Sequence, residues 1–74
     1  MIKMYITKFI RSDGKPDEDY YYYEEKDAIN HLNLFFDDDS GLYKKIQVID
    51  DVNDEVIMTL PFDNGVAGML NLYV

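Results

Sequence analysis

The chain has 74 residues, 47% hydrophobic and 15% aromatic, enough for one small core and too apolar for a disordered chain despite 30% charged residues. It has no Cys, so disulfides and thiolate zinc sites are excluded and nothing points to an oxidising compartment. Fifteen Asp and Glu against seven Lys and Arg give a formal net charge of −8, which speaks against nucleic acid or an anionic membrane as a direct partner, since both need clustered cations.

Residues 2–11 read as a strand. Ile2, Met4, Ile6 and Ile10 alternate with Tyr5, Thr7 and Phe9, and β-branched and aromatic residues dominate both rows. Ser12-Asp13-Gly14-Lys15-Pro16-Asp17 has the composition of a loop, in which Asp-Gly accepts positive φ and Pro16 cannot donate to a ladder. A second strand over residues 19–24 is almost wholly tyrosine, and its alternation places two of the four rings toward a core and two toward solvent or a partner.

Residues 25–39 read as the one helix, with Ala28, Ile29, Leu32, Phe35 and Phe36 on a single stripe. Glu24, Glu25 and Asp27 complement the dipole at its start, and Gly41 is the expected left-handed cap at its end. On this reading Asp37, Asp38 and Asp39 sit where the dipole disfavours anions. A third strand over residues 43–50 points Ile46 and Val48 inward and Lys45 and Gln47 outward. After the turn Asp51-Val52-Asn53-Asp54, a fourth strand over residues 55–62 carries Val56, Met58, Leu60 and Phe62 on one face, and Pro61 marks an edge or a bulge.

The fold expected is α+β, a single domain over residues 1–74. A β-β-α-β-β core over residues 1–62 would pack one helix on an antiparallel sheet. Residues 63–74 form an apolar tail, and residues 66–74 suit a fifth strand on this sheet or on a neighbouring chain. No apolar run approaches the ~18 residues of a membrane span, and no signal peptide precedes the first strand. A cytoplasmic protein is therefore expected, and the opening Met1 suggests a complete small gene product.

Catalytic chemistry finds few materials. The single histidine, His31, lies on the predicted helix four residues after Asp27, and its ordinary role there is a boundary side chain paired with that aspartate. Ser12 and Ser40 fall in loops, out of reach of a histidine base. Paired-carboxylate hydrolysis needs a cleft that raises one pKa, whereas the acids here cluster in turns and helix ends. Asp37-Asp38-Asp39-Ser40-Gly41 resembles the start of a calcium loop, but Val48 stands where the twelfth-position glutamate belongs. No enzyme activity, cofactor or metal is expected.

The charge is unevenly placed. Lys3, Lys8, Arg11 and Lys15 face only Asp13 within residues 1–15, while Lys26, Lys44 and Lys45 are the only cations beyond them. Lys3, Lys8 and Arg11 are expected to pair with acids on neighbouring strands. The remaining carboxylates, with the tyrosine strand, make the candidate surface for a basic protein partner: Asp17, Glu18, Asp19, Tyr20, Tyr22, Glu24, Asp37, Asp38, Asp39, Asp50, Asp51 and Asp54. A strand advances ~3.3 Å per residue, close to the ~3.4 Å between phosphates along one DNA strand, so a carboxylate run can stand in for a phosphate backbone. The plain alternative is that these acids only keep the chain soluble. A different alternative is self-association into a homodimer or larger assembly through Met69, Leu70, Leu72 and Tyr73 in the tail.

The stretch from Asp19 through Tyr20-Tyr21-Tyr22-Tyr23-Glu24-Glu25-Lys26-Asp27-Ala28 to Leu32, continued by Asp37-Asp38-Asp39-Ser40-Gly41-Leu42-Tyr43-Lys44-Lys45-Ile46 in a "DDSxLYxKI" pattern, resembles small proteins of phages and mobile elements in Gram-positive bacteria. The resemblance covers about residues 19–60 and contains no catalytic motif. It implies an inhibitor of host defence, of the kind anti-CRISPR proteins represent, several of which look like nucleic acid to their target nuclease. The tail from Asn64 to Val74 takes no part in it.

Overall fold

The structure, a computed structural model, describes residues 3–62. Its centre is β1 (Tyr5–Arg11), which pairs on one side with β2 (Glu18–Tyr22) and on the other with β3 (Tyr43–Asp50). β4 (Glu55–Pro61) adds to the far side of β3, so the antiparallel sheet has the order β2-β1-β3-β4. The helix α1 (Glu25–Asn33) crosses one face, giving the expected ββαββ arrangement in one α+β layer pair. The segment proposed for a fifth strand lies outside the described residues.

Register decides which row of β1 forms the core. Thr7 lies opposite Tyr20 and Val48, and Phe9 opposite Glu18 and Ile46. Thr7, Phe9, Ile46 and Val48 are all fully buried beneath the helix. Lys45 and Gln47 are only partly covered, as the alternation of β3 requires. The aliphatic row of β1 takes the other face, where Ile6 aligns with Tyr21 and Ile49 and is itself buried.

Helix α1 seats itself through its smallest side chain. Ala28 is fully buried, and the Thr7 hydroxyl donates to its carbonyl at 2.9 Å, joining the first turn of the helix to the middle of the central strand. Leu32, one turn later, completes the buried stripe. The helix ends six residues short of the expected 25–39. From Leu34 onward the amides bond three residues back, as Phe35 to Leu32 at 3.0 Å and Asp38 to Phe35 at 3.0 Å, a tighter winding than the α-helix. That winding delivers Phe35 to the core and leaves Phe36 68% exposed, so Phe36 does not belong to the buried stripe. Asp37, Asp38 and Asp39 therefore lie beyond the helix, and the supposed conflict with its dipole disappears. Gly41 does have positive φ, at 78°, but it serves the entry into β3 rather than the helix end.

Phe9 is the aromatic hub. Its ring meets those of Phe35 at 4.9 Å, Tyr43 at 5.2 Å and Tyr20 at 5.4 Å, all near edge-to-face, and His31 at 5.0 Å. The fourth strand departs from simple alternation. Val48 aligns with Met58 and Ile49 with Val56, so Ile57 is an extra residue that bulges from the ladder. Ile57, Leu60 and Phe62 pack on the core, whereas Val56 and Met58 remain exposed, which corrects the single face read from the sequence. The helix packs mainly on β1, β2 and β3.

Phe9→Ala should cost about 3–5 kcal/mol, a large share of the ~5–15 kcal/mol that holds a small domain folded. Urea denaturation followed by circular dichroism should show the midpoint collapsing. Phe36→Ala, at an exposed site, should shift it by no more than about 0.5 kcal/mol.

Candidate functional site

Antiparallel pairing sorts the charges to the two ends of the sheet. Tyr5 aligns with both Tyr22 and Asp50, so the exit of β2, the start of α1 and the turn between β3 and β4 share one end. Glu24, Glu25, Asp51, Asp54 and Glu55 stand there, all exposed. Strand spacings of ~4.8 Å put the two carboxylate groups within about 15 Å of each other. The other end holds the β1–β2 loop, the segment after the helix and the start of β3.

The cations are mostly at that second end, where Arg11 and Lys8 are held in ion pairs. Arg11 binds Asp13 at 2.7 Å and Glu18 at 2.9 Å, while Lys8 binds Asp19 at 3.0 Å and reaches Asp17 at 3.9 Å. The Arg11 guanidinium, helped by the Lys15 amide, holds the Asp13 carboxyl down at about 2. Asp17, Glu18 and Asp19 thus have their charge compensated within the fold, as expected of Lys8 and Arg11. Asp38 accepts the Ser40 hydroxyl at 2.7 Å, with Asp37 and Asp39 exposed beside it. These three lie across the molecule from Asp51 and Asp54, so the acids assigned from the sequence do not form one face.

Asp50 leaves the candidate surface altogether. It is 4% exposed, and its carboxylate accepts the Val52 and Asn53 amides at 3.0 and 3.2 Å, the Asn53 side chain at 3.2 Å, and the Lys3 ammonium at 3.0 Å. Burial pushes this carboxyl up, but Lys3 and the two amides outweigh it and leave it below its ordinary value. Its work is to shape the turn that presents Asp51, Asp54 and Glu55. Asp54 completes that turn with a φ of 55°, a left-handed conformation that Asp tolerates better than most residues.

The tyrosines are also placed otherwise than expected. Tyr20 and Tyr22, opposite Thr7 and Tyr5, belong to the helix side. The Tyr20 ring packs edge-on to Phe9 and His31. Tyr22 Oη is hydrogen-bonded to His31 Nδ1 at 2.8 Å, so the histidine's partner is this phenol and not Asp27. Tyr21 and Tyr23 are the more exposed pair, at 55% and 70%, and Tyr23 adjoins Glu24 at the first end. Alternation along β2 was legible, but its phase depended on the β1 register, which no short-range signal carries.

His31 is half-enclosed by the rings of Phe9, Tyr20, Tyr22 and Phe35, and burial pushes its pKa below the ordinary value. Neither serine approaches it: the Ser12 hydroxyl donates to the Gly41 carbonyl, and that of Ser40 to Asp38. Among the described residues no group of three or more His, Asp or Glu is arranged to hold a metal ion, and no helix is long and apolar enough to cross a membrane. Residues Met69, Leu70, Leu72 and Tyr73, the candidate self-association segment, lie outside the described residues. Compared with known proteins, the chain matches no family model, no curated protein and no solved structure.

Asp50→Asn should lower the thermal midpoint at pH 7, because it removes the anion that Lys3 binds. A carboxyl with a depressed folded pKa stabilises the fold above its unfolded value, near 3.8, and that contribution is lost as pH falls through the lower folded value. The gap between wild type and variant should accordingly close as pH drops below about 4. Thermal unfolding from pH 7 to pH 2 checks this, and a gap that stays constant rules the account out.

Proposed function

We propose that this chain is a non-enzymatic inhibitor of phage or mobile-element origin. It acts in the bacterial cytoplasm by binding a basic, nucleic-acid-handling effector, such as a CRISPR nuclease, in place of nucleic acid. One observation supports this reading most. Glu24, Glu25, Asp51, Asp54 and Glu55 gather at one end of the sheet, while Lys8, Arg11, Lys15, Lys44 and Lys45 lie toward the other.

The first end has little positive charge of its own. Lys3 is taken by Asp50, and Lys26 reaches only Glu24, at 3.5 Å in an exposed pair that contributes at most about 1 kcal/mol. Clustered carboxylates with Tyr23 and the exposed Val52 beside them combine the charge that steers a basic partner with the stiff contact area that anchors one. Because screening acts within ~8 Å at physiological salt, the carboxylates of each group act together, and the two groups engage separate cations of the partner.

The triple variant D51N/D54N/E55Q should weaken binding to a susceptible effector. At about 0.5–1 kcal/mol per lost contact, the loss is roughly ten- to a hundredfold. The pair D37N/D39N, at the other end, should change it far less. Titrations at graded salt measure both, and equal effects from the two variants, or no salt dependence, would sink the proposal.

A further inference from the structure

A shallow depression of about 480 Å³ lies between the end of β2 and the outer side of α1, lined by Tyr22, Asp27, Asn30, His31 and Leu34. Its chemistry is mixed in a specific way. Asp27, Asn30 and Leu34 follow one another along the helix at three- and four-residue steps, so they share a strip of its surface. The Asp27 carboxylate forms no ion pair or hydrogen bond with another described residue, and neither does the Asn30 side-chain amide. Leu34, 80% exposed, offers an apolar shoulder with no neighbour of its own size over it. Tyr22 and His31 supply two flat rings, locked to each other by their hydrogen bond and set 80° apart.

We propose that this depression receives the arginine side chain of a basic protein partner. Asp27 can accept two parallel N–H bonds from a planar guanidinium, and the Asn30 carbonyl can accept a third. Leu34 and the Tyr22 ring border the aliphatic stem, which an arginine lays along apolar surface while its head remains hydrogen-bonded. An ammonium group matches this lining less well, because it is a compact point charge and not a fork. Burial pushes the His31 pKa below its ordinary value, which reduces the opposing charge in the wall. The site adjoins Glu24 and Glu25, so it deepens the reading of a basic partner given above and rests on it.

The test uses two capped peptides of Gly and Ser, identical except for one central Arg or Lys, titrated into the isotopically labelled chain and followed by NMR. The arginine peptide is expected to shift the Asn30 side-chain amide and the His31 ring in a saturable manner, at least fivefold more tightly than the lysine peptide. Asp27→Asn should erase that preference while lowering the thermal midpoint only slightly, by the first-turn charge it removes from the helix dipole. Equal responses to the two peptides, or an arginine preference that survives Asp27→Asn, overturns the proposal. No arginine preference in the unaltered chain, with salt-sensitive effector binding intact, rejects the pocket alone. A clear arginine preference without effector binding rejects the effector reading alone.

Discussion

The hydrogen bond from the Thr7 hydroxyl to the Ala28 carbonyl fixes the relation between the two layers, and most of the molecule follows from it. Both residues are fully buried. Thr7 brings a polar atom into the core only because the helix offers a carbonyl there, and the helix comes close enough only because residue 28 is an alanine. An unmet hydroxyl in that position costs about 1–3 kcal/mol, so the contact fixes position as well as adding stability. With Ala28 over β1, Leu32 and Phe35 fall onto Phe9, and His31 falls among the aromatic rings within reach of Tyr22. The same seat aims the start of the helix at the end of the sheet where the β3–β4 turn projects.

The sequence disclosed the order of elements and the inward residues of β3, because strict alternation over eight residues leaves one reading. It disclosed the partners of Lys8 and Arg11 in kind, since a basic strand beside an acidic one pairs by proximity. Helix length was misjudged because Phe35 and Phe36 continue the apolar period, and only the tightening after Asn33 separates them. The phase of the tyrosine strand depended on whether Thr7 or Ile6 faced the helix, and the aliphatic row of β1 looks the better candidate for a core. Tertiary packing chose the other row. Asp50 was indistinguishable from Asp51 by composition, yet one is buried beneath Lys3 and the other exposed. Such a difference arises from backbone direction at a single turn, which composition does not encode.

Charge in this molecule has two uses that separate cleanly in space. Near the β1–β2 loop, carboxylates close the fold around Arg11 and Lys8, and the guanidinium also lies over the Tyr43 ring at 5.5 Å. Near the β3–β4 turn, one buried carboxylate organises the backbone and three exposed ones are displayed on it. Surface ion pairs of the first kind add little to stability individually, and among the described residues they engage Arg11 and Lys8 while Lys15, Lys44 and Lys45 form no ion pair. The exposed carboxylates Asp51, Asp54 and Glu55 stand at the opposite end from those lysines.

The bulge at Ile57 and the proline at position 61 limit how copies of the chain meet one another. Among the described residues, a strand arriving beside β4 finds a ladder thrown out of step at one point and a missing N–H at another. On the opposite margin, β2 offers only five residues. Sheet margins as short or irregular as these are poor templates for annealing one folded chain to the next. The same irregularity that turns Ile57 toward the core thus bears on how abundant the folded protein can become.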